Sequence, residues 1–271
     1  MKILFLGDVV GRSGREAIER YLPALKAQMK PDVVIVNAEN AASGFGLTMK
    51  IAESIFAMGV DCLTLGNHAW DQRELLTSIN NEPRIVRPLN YPEGTPGRGF
   101  CLHTLQDGRK VLIVNVMGRL FVEPSVDDPF PALEKTLAAH KLSGRLPIFV
   151  DLHAEATSEK MAIAHFFDGR VSAIIGTHTH IPTADDVVLP KGTAYMTDVG
   201  MCGDYDSVVG MKKDVAIWRF TRKIPSPERK SPADGPATVS GALVTTDEAT
   251  GLATKIDPVR IGGILRPTVS A

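Results

Sequence analysis

Five short apolar runs in this chain each break off at a side chain able to bind a metal ion. Ile3–Gly7 stops at Asp8, Val33–Val36 runs into Asn37-Ala38-Glu39-Asn40, and Cys62–Gly66 stops at Asn67-His68. Ile148–Val150 stops at Asp151-Leu152-His153, and Ala173–Gly176 stops at Thr177-His178-Thr179-His180. Continuous apolar runs of this length, bounded by turn residues, suit strands buried on both faces. Open α/β sheets gather ligands beyond the carboxyl ends of such strands. One such ending carries little weight, because a lone Asp caps a helix and a lone Asn makes a turn. Five together, with carboxylate, amide and imidazole heads, predict one polar cluster at one edge of one sheet.

Amphipathic stretches lie between the runs, and the alternation predicts a layered α/β fold. A helix is expected over Ala17–Leu25, opened by a Ser13-x-x-Glu16 capping box, with Pro23 a candidate interruption. Further helices are expected over Met49–Met58, Trp70–Ile79, Pro131–His140 and residues 155–167. Residues 83–100, dense in Pro and Gly, read as a structured loop, and residues 223–236, rich in Pro, Ser, Lys and Arg, as an exposed one. Gly241–Thr246 and Ala253–Ile256 flank Asp247–Gly251 as a β-hairpin would. The 271 residues are enough for a sizeable core and read as one domain, 1–271, with a C-terminal β element near 238–262.

A net charge of −1 removes any global electrostatic case for nucleic acid or a membrane surface as partner. No stretch reaches the roughly 18 apolar residues of a spanning helix. The first run breaks at Asp8, too early for a signal-peptide core. Cys62, Cys101 and Cys202 are odd in number, far apart and without a CxxC pair, so a reducing cytoplasm is the expected setting. A homo-oligomer is left open.

The residue types at the run ends select the metal. His153, His178 and His180 are neutral nitrogen donors near pH 7, Asp8 and Glu39 anionic oxygen donors, and Asn40 and Asn67 amide oxygens. This mixture suits iron, manganese, zinc or cobalt and is too rich in nitrogen for magnesium or calcium. Seven donors are too many for one tetrahedral ion and suit two ions sharing a carboxylate. Two ions about 3.5–4 Å apart clamp a phosphoryl group and activate a bridging hydroxide. In extended backbone His178 and His180 point to the same side, one to each ion. His68, next to Asn67 but turned elsewhere, is placed as a general acid. His103, His140 and His165 follow no buried strand into a polar turn and are set aside. Gly11-Arg12-Ser13-Gly14 lacks the endings of a phosphate loop or dinucleotide fingerprint and reads as a helix start, with Arg12 a candidate to face the substrate. Ala41–Gly46 is a candidate mobile rim.

Gly7-Asp8, Gly66-Asn67-His68 and Gly176-Thr177-His178-Thr179-His180 resemble the calcineurin-like metallophosphoesterase signature. The chain departs from it in the first half: Asp8-Val9-Val10 lacks the usual His, and Glu39 replaces the bridging Asp. With those departures it is similar to the YmdB-like metallophosphoesterases. The stretches Asn37–Ala42, Arg87–Pro92, Asp151–Lys160 and Thr197–Met201 carry that likeness. The resemblance implies a four-layer α/β/β/α sandwich with two packed mixed β-sheets. It implies a di-iron or di-manganese centre and phosphodiesterase activity that includes 2′,3′-cyclic nucleotides. By position, Asp8, Glu39, Asn40 and His180 would hold one ion, and Glu39, Asn67, His153 and His178 the other. Asn40 would replace the missing His, His68 would donate the proton, and Asp151 would stay out of the site. Loss of an imidazole at the first ion fits iron or manganese better than zinc. A phosphomonoesterase and a slow-turnover sensor of cyclic nucleotides are the alternatives.

Overall fold

Alternate residues of the apolar runs enter different cores, and this sets the layering. The computed structural model describes residues 1–222 and 224–269. In chain order its strands are β1 (Lys2–Leu6), β2 (Asp8–Val9), β3 (Val33–Asn37), β4 (Cys62–Thr64), β5 (Ile85–Val86), β6 (Phe100–Thr104) and β7 (Lys110–Met117). There follow β8 (Ile148–His153), β9 (Ala173–Thr177), β10 (Val187–Val188), β11 (Ala194–Met196), β12 (Met201–Asp204), β13 (Ala237–Thr246) and β14 (Ala253–Gly262). The helices are α1 (Gly11–Met29), α2 (Met49–Ala57), α3 (Leu75–Ser78), α4 (Pro129–Ala139), α5 (Thr157–Phe166) and α6 (Lys213–Arg222).

The larger sheet has the order β2-β12-β13-β1-β3-β4-β5, with β14 beside β13. The smaller has the order β10-β11-β9-β8-β7-β6. Both are mixed. Pairings are parallel from β1 through β3 and β4 to β5 and from β7 through β8 and β9 to β11, with antiparallel neighbours flanking each block. Successive side chains along a strand face opposite ways. Ile3 and Phe5 of β1 therefore meet Phe149 of β8 and Ile175 of β9 between the sheets. The Phe5 and Phe149 rings stand 5.0 Å apart there. Leu4 and Leu6 face the other way, onto Ile18 and Leu22 of α1 and Ile55 of α2. Val150 and Ile174 on the second sheet pack against Leu133 of α4 and Ile163 of α5. The result is the four-layer α/β/β/α sandwich with two packed mixed sheets.

Several local expectations change. The Ser13–Glu16 capping box does not form: α1 starts at Gly11, and the Ser13 hydroxyl donates to the Ala233 carbonyl at 3.0 Å instead. Pro23 does not interrupt α1, which runs on to Met29, its buried face of Ile18, Leu22 and Leu25 outweighing the lost backbone bond. The helix expected over Trp70–Ile79 contracts to α3 and a 3₁₀ turn over Ile79–Asn81. Residues 67–74 are turns, tied down by Asp71 on the His68 ring and by Gln72 on the Phe45 carbonyl. The 83–100 loop contains the two-residue strand β5. Helix α6, with Val215 its one buried side chain, was not expected. Position 223 of the expected exposed loop lies outside the described residues. The hairpin is longer than expected, and β13 is a central strand, antiparallel to β1 from Lys2↔Thr245 to Leu6↔Gly241. Among the described residues no helix is long and apolar enough to cross a membrane.

Candidate metal centre

The parallel strands of both sheets deliver their carboxyl ends to one place. β3 leads into Glu39 and Asn40, β4 into Asn67, β8 ends on His153, and β9 leads into His178 and His180. Asp8 opens β2, held beside Met201 of β12. Asp8, Glu39, Asn40, His153 and His180 are buried, and Asn67 and His178 partly so. Ligand atoms of Glu39, His153 and His178 lie within 4.8 Å of one another, as do those of Asp8, Glu39 and His180. Glu39 belongs to both groups. His103, His140 and His165 belong to neither.

The hydrogen bonds assign the ring nitrogens. His153 Nδ1 faces Thr177 Oγ1 at 2.9 Å, and that hydroxyl donates to Asp151 at 2.6 Å, so the ring N–H points outward. His178 Nε2 faces Glu155 at 3.2 Å, and His180 Nδ1 donates to the Val209 carbonyl at 2.9 Å. Each ring thus turns its other nitrogen inward, the arrangement that outer hydrogen bonds impose on metal-binding histidines. His153 Nε2 then meets Asn67 Oδ1 at 2.9 Å, His178 Nδ1 at 3.0 Å and Glu39 Oε1 at 3.2 Å. His180 Nε2 meets Asn40 Oδ1 at 3.2 Å, whose amide nitrogen donates outward to Gly44. Atoms crowded in this way need a proton or a metal ion between them. Asp8 Oδ1 is buried with no hydrogen-bond partner, a further acceptor awaiting one. The donor set therefore fits metal ions. Gly66 keeps the space open: a Cβ there would lie 2.3 Å from Glu39 Oε2 and 2.4 Å from His153 Nε2.

The electrostatics agree. Burial raises the Asp8 carboxyl to about 6, against the pull of His180 and His153. Burial also opposes charge on Glu39, but His153 and the His68 N–H overcome it and hold Glu39 at about 2. Glu39, Asp8 and Asp151 in turn raise His153 to about 9 against its own burial. Burial and the neighbouring His153 depress His178 to about 3. Positive charge is drawn to the space between Glu39 and His153, and a metal ion would meet that demand in place of a proton.

The backbone brings His178 and His180 to the cluster by a route the sequence did not suggest. The segment is not extended: His178 and His180 have φ of 99° and 67°. Such positive φ values cost non-glycine residues of order 1–3 kcal/mol each and persist only where the surroundings impose them. Lys160 and Asp198, both fully buried, impose them. The Lys160 ammonium donates to the Thr177 carbonyl at 2.7 Å and to Asp198 at 2.9 Å. Asp198 also accepts from the N–H of Thr179 at 3.0 Å and of Gly200 at 2.8 Å. Asp8 accepts from the His178 N–H at 3.2 Å. The sequence reading missed Lys160 and Asp198 as supports. The available signal was a sixth run, Ala194–Met196, which also ends on a polar pair, Thr197-Asp198. Asp151 stays behind the cluster, held by Asn37, Thr64 and Thr177.

His68 lies outside both ligand groups. Its N–H donates to Glu39 at 3.0 Å, its Nδ1 pairs with Asp71 at 2.8 Å, and the Phe45 ring meets it edge-on at 5.2 Å. His68 lines a cleft of about 280 Å³ with Glu39, Asn40, His178 and His180. Gly44 and Phe45 of the Ala41–Gly46 segment form its rim, tied by the bond from Ala42 N–H to Gly46 and by Gln72. Arg12 does not face this cleft. It pairs with Glu16 at 3.7 Å and lines a separate groove with Met58, because it lies on the outer face of α1.

Comparison with known proteins agrees with this picture. The family model described as YmdB-like protein matches residues 4–259. A protein of Bacillus subtilis (strain 168) named 2′,3′-cyclic-nucleotide 2′-phosphodiesterase is 47% identical over 96% of this chain and 97% of its own. A Mycoplasma pneumoniae protein named putative phosphatase/phosphodiesterase is 38% identical over 96% of this chain and 93% of its own. A crystal structure from Thermus thermophilus, called a hypothetical protein, superposes with a TM-score of 0.89 at 43% identity, covering 97% of this chain and all of that one. Fold, cluster and relatives converge, and the chain belongs to the YmdB-like protein family.

Proposed function

We propose that this chain, working as a single domain, is a binuclear metal-dependent phosphodiesterase that hydrolyses cyclic nucleotides, 2′,3′-cyclic ones foremost. The observation that carries the reading is the pair of inward-facing donor groups that share Glu39. Asp8, Glu39, Asn40 and His180 hold one ion, and Glu39, Asn67, His153 and His178 the other. The mixture of carboxylate, amide and imidazole favours iron or manganese over zinc or cobalt. When bound, such ions lower the pKa of a water and polarise phosphoryl oxygens. His68 supplies what they do not, a proton for the departing ribose oxygen. Asp71 holds its Nδ1, so Nε2 is the nitrogen left to give that proton. The cleft of about 280 Å³ suits a small molecule such as a mononucleotide better than a polymer. The choice of cyclic nucleotide rests on the name of the Bacillus subtilis relative. The free thiols of Cys62, Cys101 and Cys202 support a cytoplasmic setting.

The test is a side-by-side assay of metal-replete protein on 2′,3′-cyclic AMP and on AMP. The diester is expected to turn over faster. Faster release of phosphate from AMP would favour a phosphomonoesterase, and tight binding of the cyclic nucleotide without turnover would favour a sensor.

A further inference from the structure

We propose that Lys230 is a substrate-binding residue that contacts a phosphoryl oxygen of the bound nucleotide, an inference that rests on the phosphodiesterase reading. The cleft over the candidate metal centre is lined by the acids Glu39 and Glu155 and by three imidazoles, and among its lining residues Lys230 is the one Lys or Arg. Among the described residues Lys230 has no carboxylate partner in an ion pair, unlike Lys213, which pairs with Asp206 at 2.7 Å. Its ammonium lies over the Phe45 ring, 5.2 Å from the centroid. That cation–π contact holds the charge at the rim without neutralising it. The opposite constraint on Phe45 is the His68 ring, edge-on at 5.2 Å. Phe45 thus places a cation and the candidate acid on the same rim.

The segment bearing Lys230 is anchored to the site. The Lys212 N–H donates to Ser231 at 3.0 Å, and the Ala233 N–H donates to Gly210 at 2.8 Å. Residues 209–211 are the wall that supplies Val209, the hydrogen-bond acceptor of His180. The position of Lys230 is therefore coupled to the wall that orients a candidate ligand. An unpaired ammonium at the mouth of a cleft for a phosphate ester is a point charge suited to a phosphoryl oxygen. It takes the role the sequence reading offered to Arg12.

The experiment compares wild type, Lys230→Met, which keeps the stem over Phe45, and Lys230→Arg, which restores the charge. Calorimetry on manganese-loaded protein gives the dissociation constant of inorganic phosphate, and steady-state kinetics gives KM and kcat for 2′,3′-cyclic AMP. Lys230→Met is expected to weaken phosphate binding and raise KM by about tenfold each, with kcat within about twofold and metal content unchanged. Lys230→Arg is expected to recover most of both losses. Phosphate affinity within about twofold of wild type in Lys230→Met, at equal metal content, would overturn the assignment. If wild type leaves 2′,3′-cyclic AMP untouched, the substrate reading falls by itself, and the phosphate constant still decides Lys230.

Discussion

A histidine can serve a metal as ligand or a substrate as acid, and the partners of each ring decide which. His153, His178 and His180 each hand one nitrogen to an outer acceptor and turn the other inward. His68 is held by Asp71 and lies outside the inward-facing groups. Replacing it with Ala should leave the ligand atoms in place. His68→Ala is expected to keep wild-type metal content while turnover of a diester with a poor leaving group falls about a hundredfold. Metal analysis and initial rates together check this, and unchanged turnover would remove the acid role. At this scale the sequence was informative where a side chain ends a strand, as with His153, or follows one within a few residues, as with Glu39 and Asn67. It was silent where a side chain acts from behind. Nothing in a lone Lys on a helix, such as Lys160, distinguishes a solvated ammonium from one fully buried against Asp198.

Strand endings point to where a site lies, but the turn that follows decides where its side chains aim. Extended alternation after β9 would have sent His178 and His180 to one side. The structure reaches the same end through two left-handed residues braced by Lys160 of α5 and Asp198 after β11. Elements distant in sequence hold that turn, so its geometry could not be read locally. The turns over 67–74, where a helix was expected, have the same cause: contacts to His68 and Phe45 displaced helical periodicity. Lys160→Met leaves Asp198 buried and uncompensated, a change that typically costs about 3–5 kcal/mol. Denaturant unfolding should show that loss in Lys160→Met and a smaller one when Asp198→Asn is added. A double variant no more stable than Lys160→Met would mean the pair does not act as a unit.

At the scale of the whole molecule, the sandwich gathers donors from two sheets. Phe5 and Phe149 lock the sheets face to face, so the carboxyl ends of β3 and β4 meet those of β8 and β9. The five apolar runs made the meeting of their ends legible, because runs buried on both faces belong to parallel strands that need a cover on each side. They placed those ends on one sheet, whereas β3 and β4 belong to the larger sheet and β8 and β9 to the smaller. The place of β13 in the middle of the larger sheet was not legible. A hairpin near the chain end looks the same whether it is appended or central, and only its register with β1 decides. We propose that one carboxylate, Glu39, joins two metal sites. Titration of metal-free protein with Mn²⁺, followed by calorimetry, tests it in wild type and in Glu39→Gln. Two equivalents are expected to bind wild type, with both weakened together in Glu39→Gln. A single equivalent in wild type, or one site of unchanged affinity in Glu39→Gln, would contradict it.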